Sequence, residues 1–253
     1  MIKIVLLGGG NVAHHLAKVF IQSSEIELVQ IYNRTLKNIE TFNNQTTITN
    51  KISELKKADT YIISVSDNQI ANISSKLNLK NKLVVHTSGA MSLDEIKSNS
   101  NKGVFYPLQS FSKNKEIDFS EVPFCLETNN TKDYNLLKKI ASAIGSPFYK
   151  IDSNQRQQLH VGAVFVNNFA NYMYQLGNEI CKENNIPFKI LMPLIKETSS
   201  KITELQPFEA QTGPAKRGDT KTINNHLKIL SKNKQEIYTL LTKSIGKLYG
   251  KKL

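Results

Sequence analysis

The chain has 253 residues, of which 40% are hydrophobic and 21% charged, a composition that builds cores and suits about two domains of ordinary size. Its formal charge of +12 is almost all lysine, since Arg34, Arg156 and Arg217 are the only arginines. The lysines are scattered, with no basic stripe and no interleaved aromatics, which argues against a nucleic-acid partner. Cys125 and Cys181 are the only cysteines and have no CxxC or Cys/His spacing. Neither a metal site nor a disulfide framework is therefore expected, and a cytoplasmic location is.

The apolar run in "MIKIVLLGGG" is too short for a secretory signal. It reads as a strand that enters a glycine turn, followed by Val12, Leu16, Val19 and Phe20 at helical spacing. Gly8, Gly10 and Ala13 fit G-x-G-x-x-G/A. The first glycine permits the tight turn, the second lets backbone approach a pyrophosphate, and Ala13 lets helix and strand pack closely. Asn11 and Val12 would then offer N–H groups at the positive end of the helix. The next strand, "IELVQIYNRT", ends where an NAD site carries an acidic residue. Here stand Asn33, Arg34 and Thr35 instead, which can donate to a 2′-phosphate; the expected cofactor is NADP.

Further along come a weak strand near 46–49, a short helical piece from 51, the strand "DTYIISVSD", and a helix to Leu77 that Asp67 can cap. "NKLVVHTSGA", "GVFYPLQSF" and "PFCLET" follow as strands, then a helix over 132–143 and the strand "FYKI". This alternation predicts a doubly wound, mostly parallel α/β sheet of Rossmann type with ligands at the carboxyl ends of its strands. Ser64, Val65 and Ser66 are candidates for the cofactor at one such end, and His86, Ser88 and Gly89 for the substrate at another. "HTSG" reads equally as a turn or helix cap.

Near residue 151 the character changes, which gives domains 1–151 and 152–253. From Asp152 or Ser153 as N-cap, one long helix runs to Asn184–Asn185. A second helix over about 187–205, interrupted or bent near Pro193, precedes the loop "QPFEAQTGPAKRGDT" and two helices around 219–231 and 234–248. Residues 157–178 carry no charge. Asn167, Asn168, Asn171, Gln175 and Asn178 would be costly in hydrocarbon, so a buried helix is expected and a membrane partner is not. At 100° per residue His160, Asn167 and Asn171 share one stripe, with Asn168 beside it. Several polar side chains on one buried stripe demand partners, which a cofactor or substrate could supply.

"GGGNVA", "NRT", "HTSGA", "YPLQSFS", "HVGAVFVNN" and "TGPAKRGD" resemble the marks of Rossmann-like NADP oxidoreductases with a C-terminal helical domain of unassigned function. These lie in the 6-phosphogluconate dehydrogenase-like superfamily, with β-hydroxyacid dehydrogenases and pyrroline-5-carboxylate reductase. The resemblance spans essentially the whole chain and implies NADP, a small-molecule substrate and a helical domain for substrate binding and dimerisation, hence a homodimer. β-Hydroxyacid dehydrogenases carry K-x-x-N-N on the helix entering the second domain, and aligning Asn167 and Asn168 with that pair puts Val164 at the lysine. His160, one turn earlier, becomes the candidate acid/base, because a histidine side chain suits proton transfer near neutral pH. Asn167 and Asn171 would orient the substrate and Asn168 help hold it. In "TGPAKRGD", Thr212, Arg217 and Asp219 could reach a cleft, of this chain or of a partner subunit, or Gly213–Pro214 could make a turn and Asp219 cap a helix. The expected activity is hydride transfer between NADP(H) and a small carbonyl, imine or hydroxy acid; the alternative is a non-catalytic NADP-binding sensor lacking the lysine.

Overall fold

In a computed structural model, residues 1–252 are described, and the chain divides into two compact units, Met1–Asn167 and Asn168–Leu253. The first unit is built on one eight-stranded sheet of order β3-β2-β1-β4-β5-β6-β7-β8. Its strands are β1 (Ile2–Leu7), β2 (Ile26–Tyr32), β3 (Thr47–Thr49), β4 (Thr60–Ile63), β5 (Leu83–His86), β6 (Asn101–Pro107), β7 (Phe124–Thr128) and β8 (Phe148–Lys150). All neighbours pair in parallel except β6 with β7. The order reverses between β1 and β4, and a crevice opens at that point in a doubly wound sheet.

Alternation along β1 sends Ile4 and Leu6 to one face of the sheet, Val5 and Leu7 to the other. The first pair packs with α1 (Asn11–Gln22) through Leu16 and Phe20, in the same layer as Leu137 and Ile140 of α3 (Thr131–Ala143). The second packs with Ile70 of α2 (Ile70–Ser74) and with Ile96. Covered on both faces, β4 and β5 are buried along their whole length, which is why "YII" and "LVV" are unbroken apolar runs. Asp67 does not cap the helix after β4: Asp67–Gln69 forms a 3-10 turn with Ser66 at its N-cap, and no side chain closes that end. The helical piece expected from 51 is one 3-10 turn, Ile52–Glu54.

Asp152 opens α4 (Ser153–Ala163) with a capping box, its carboxylate accepting from the Gln155 N–H while the Gln155 side chain accepts from the Asp152 N–H. The change in composition at 152 does not coincide with the division between units, which falls after Asn167. The reason is a polar anchor. Arg156 of α4 is fully buried, pairs with Glu127 at the end of β7, and donates to the Met91 carbonyl at 2.6 Å and to Ser153 Oγ at 3.2 Å. These bonds fix the first turns of α4 to the sheet.

The second unit is helical: α5 (Ala170–Glu183), α6 (Met192–Glu204), the single turns α7 (Pro207–Ala210) and α8 (Pro214–Arg217), α9 (Thr220–Ile229) and α10 (Lys232–Leu248). Pro193 sits in the first turn of α6, where its missing N–H costs nothing, and the helix is interrupted there: a 3-10 turn over Phe188–Leu191 precedes α6. Lys234 of α10 reaches Glu179 and Glu183 of α5 at 3.5 and 2.6 Å. Asp219 caps α9, accepting from the Thr222 N–H at 3.0 Å and its hydroxyl at 2.8 Å. Among the described residues this unit buries only Cys181, Ala215 and Ile223 as apolar side chains.

Candidate functional site

The glycine turn after β1 is made for close backbone contact. Gly8 has φ +143°, and a Cβ there would lie 1.9 Å from the Ser64 carbonyl oxygen; no other residue fits. Gly10 is the N-cap of α1, with no side chain closing the helix and no acidic residue in its first turn. A Cβ on Gly10 would meet nothing within 4 Å, so open space faces the unpaired N–H groups and the positive end of the helix dipole. These residues fit a dinucleotide pyrophosphate. Ala13 is buried against the sheet and, like Gly8, shapes the turn from beneath.

A cavity of about 920 Å³ opens over this turn, lined at the carboxyl ends of four strands. Gly9, Gly10, Asn11 and Val12 follow β1; Asn33 and Arg34 follow β2; Ser64, Val65 and Ser66 follow β4; Thr87, Ser88, Gly89 and Ala90 follow β5. His160 of α4 lines it too. The sequence thus foretells most of one wall of a single cavity. It does not foretell Gly9, Asn38, Asn72, Lys76, Gln109 and Phe111, which also line it. Gln109 and Phe111 belong to a loop held over α1: Asn11 Nδ2 donates to the Phe111 carbonyl at 2.9 Å, and His15 Nε2 to that of Ser112 at 2.9 Å. Only "YPLQSFS" hinted at that loop.

Some expected binding residues have other work. Thr35 is not among the cavity-lining residues; its carbonyl accepts from Asn33 Nδ2 at 2.8 Å, which fixes the turn beneath Arg34. His86 is fully buried and does not line the cavity. Its Nε2 donates to the Ser92 carbonyl at 3.2 Å and its Nδ1 accepts from the Ser88 N–H at 3.1 Å. Burial, reinforced by the Arg156 charge, lowers its pKa to about 4. A neutral imidazole with both nitrogens engaged shapes the β5 loop and leaves nothing for a substrate. Ser88 lines the cavity while its Oγ accepts from the N–H groups of Ala90 and Met91 at 3.2 and 3.1 Å.

The anchoring of α4 decides where His160 lies. Arg156 and His160 are one turn apart on the same helix face, and Gln157 Nε2 donates to the Ala90 carbonyl at 3.1 Å. His160 Nδ1 then lies 3.1 Å from the hydroxyl of Tyr106 on β6. Gly89 touches both: a Cβ there would lie 2.6 Å from His160 Nδ1 and 2.6 Å from Tyr106 Cζ. Tyr106 was invisible in the sequence because an aromatic inside a strand reads as core.

The stripe expected from 100° steps does not persist beyond α4. Val164–Phe169 forms π-helical turns between α4 and α5, and wider turns advance less per residue, so the seven-residue step from His160 to Asn167 does not return to the same face. Nor is the segment buried in the single chain: Val161 is 53%, Val166 77% and Tyr172 49% exposed. Asn167 is exposed and not among the cavity-lining residues. Asn168, Asn171 and Arg217 belong to the second unit, where Arg217 ends α8 just before Gly218 in the left-handed conformation.

A doubly wound sheet with a glycine-bounded helix N-terminus at its switch point defines a dinucleotide-binding protein of the Rossmann class. The profile of the "NADP oxidoreductase coenzyme F420-dependent" family matches residues 3–89, and that of a domain of unknown function, DUF2520, matches 122–245. A Bacteroides fragilis protein described as a "putative NADP oxidoreductase" is 39% identical, with a TM-score of 0.88 over 97% of this chain and 98% of its own. The chain belongs to that family of NADP oxidoreductases. The fold also matches a pyrroline-5-carboxylate reductase of Streptococcus pyogenes (15% identity, TM-score 0.69, 98% of each chain). An imine reductase of Myxococcus stipitatus in complex with NADP+ is similar too (14% identity, TM-score 0.67, 97% and 92% of the two chains). No curated protein matches the chain significantly. Among the described residues no helix is long and apolar enough to cross a membrane.

Proposed function

We propose that the protein is an NADPH-dependent reductase of a small imine or carbonyl compound, or acts on the corresponding hydroxy acid in reverse. The observation that carries this reading is His160 on the wall of the cavity into which the unpaired N–H groups of α1 open. Bound NADPH supplies a hydride from C4 of its nicotinamide. The chain's part is placement and proton supply. The N–H groups of Asn11, Val12 and Ala13 bind the pyrophosphate, Arg34 pairs with the 2′-phosphate, and Ser64–Ser66 border the ribose side. Ser88 and Gly89 border the substrate, and His160, as imidazolium, gives its Nε2 proton to the heteroatom of the reduced bond. An imine is favoured because two of the solved structures of similar fold are named for imine or pyrroline reduction.

Titration of the purified protein with NADPH and NADH, followed by nicotinamide fluorescence, tests the cofactor half. NADPH is expected to bind more tightly. Arg34→Ala should weaken it about ten- to a hundredfold, as loss of a hydrogen bond to a charged group does, and leave NADH unchanged. Equal loss for both nucleotides would remove Arg34 from the phosphate site; binding of neither would sink the reading. A second reading, a sensor that binds NADP without turnover, is favoured by Val164 standing where related dehydrogenases have a lysine. Consumption of NADPH with 1-pyrroline-5-carboxylate or 2-methyl-1-pyrroline would exclude it.

The same reading includes a homodimer. Nearly all the large exposed apolar side chains lie at or beyond Leu159, among them Ile190 and Leu194 at 62% and Leu240 at 67%. A helical unit with so small a core and so much apolar surface needs a cover, and a second copy supplies one symmetrically. Sedimentation equilibrium should give twice the chain mass of 28.5 kDa, and Leu194→Asp should shift it toward the monomer. A wild-type monomer at micromolar concentration would refute the dimer.

A further inference from the structure

The geometry points to Tyr106 as a positioning residue that engages Nδ1 of His160 and so commits Nε2, as an N–H donor, to the cavity. Three segments far apart in sequence converge to make this contact. Tyr106 comes from β6 with its hydroxyl 3.1 Å from His160 Nδ1, the rings meeting edge to face at 6.1 Å between centroids. His160 comes from α4, held by the buried Arg156 one turn earlier. Gly89 comes from the loop after β5, and any side chain there would occupy the space where ring and phenol meet.

The direction of the bond follows from what each group can do. Burial pushes the Tyr106 phenol up to about 12, with the neighbouring Cys125 adding to the shift and Arg156 opposing it, so the phenol keeps its proton near neutrality. Among the described residues the Tyr106 hydroxyl makes no hydrogen bond except that to His160, and a half-buried O–H donates when an acceptor is in reach. Nδ1 of the neutral imidazole is that acceptor, which leaves the ring hydrogen on Nε2. A resting site that offers an N–H suits a substrate atom with a lone pair, such as an imine nitrogen or carbonyl oxygen. When the ring is protonated, Nδ1–H donates to the phenol oxygen instead, so the same contact holds both states. The charged groups around the pair are few: Arg156 and Asp67 act on Tyr106, His86 is neutral, and Cys125 faces Tyr106 across the β6–β7 pair.

This rests on His160 being the proton donor of the proposed reaction, so the test reads the ring itself. Long-range 1H–15N correlation spectra of the full-length protein above pH 8, with the His160 signals assigned from a His160→Gln sample, should show a pyrrole-like Nε2 and a pyridine-like Nδ1. In Tyr106→Phe both shifts should move toward tautomer-averaged values, while NADPH affinity stays within twofold. Gly89→Ala, checked for folding by its thermal midpoint, should displace the ring and give the same averaging. With 2-methyl-1-pyrroline and NADPH as probe, Tyr106→Phe should lower kcat about tenfold with little change in KM, the scale of one lost hydrogen bond. A hydrogen on Nδ1 in the neutral wild-type protein, or unchanged nitrogen shifts in Tyr106→Phe, would overturn the inference. The tautomer result stands even if the wild type does not reduce the pyrroline, which would count against the imine substrate alone.

Discussion

Replacing His160 by glutamine should lower turnover with NADPH by about 10²–10⁴-fold, the usual contribution of one positioned acid/base, and leave NADPH affinity almost unaltered. Glutamine keeps a polar, hydrogen-bonding side chain near Tyr106 but cannot carry a proton from solvent to substrate. The cofactor contacts proposed for the glycine turn and Arg34 do not involve the imidazole. A variant with wild-type turnover would show that the proton comes from elsewhere. A variant that lost turnover and NADPH binding together would instead make His160 a cofactor ligand. The pH profile adds a sign. A general acid must be protonated, so kcat/KM in the reductive direction should fall as pH rises, and in His160→Gln that fall should vanish.

Arg156→Met should destabilise the first unit by about 3–5 kcal/mol, as breaking a buried ion pair from one side does. The guanidinium is 0% exposed, whereas the partner carboxylate of Glu127 is 18% exposed. Methionine fills much of the space but abandons Glu127 and the Met91 carbonyl to a site with little water. Arg156 Nε is itself the one buried side-chain polar atom without a hydrogen-bond partner among the described residues, so the arrangement is not optimised for stability alone. A double variant, Arg156→Met with Glu127→Gln, should therefore recover part of the loss. Denaturant midpoints with unchanged m-values are the measurement; a single-variant cost below about 1 kcal/mol would mean that water reaches the pair.

Much of the first unit was legible because its signals are local. The glycine turn, the apolar runs of β1, β4 and β5, and the donors at Asn33–Arg34 each declare themselves within a few residues. What escaped was set by contacts across the fold. Tyr106 meets His160 only because β6 lies beside β5 and α4 crosses their ends, and no periodicity carries that information. His86 looked like a ligand because it is a polar residue at a strand end, yet its hydrogen bonds turn inward. The asparagine stripe failed for a different reason: helical faces were counted at one fixed angle, and the π-helical turns at Val164–Phe169 reset the count. Asn167 therefore does not return to the face of His160. The change in composition near residue 152 marks where helices begin, while the buried Arg156 keeps those first turns with the sheet.

The strand order has a consequence for the chain as it leaves the ribosome. After β4 has joined β1, each later strand adds to the same open edge in the order of its synthesis. Every residue proposed to touch the dinucleotide's phosphates is made by β4, and the β5 loop adds its part of the rim by Ala90, before Gln109 and Phe111. His160 emerges roughly seventy residues later, some seconds at ordinary elongation rates. The cradle can thus take shape, and meet its nucleotide, well before the chain can do proton chemistry, so nucleotide capture and the emergence of catalysis are separated in time.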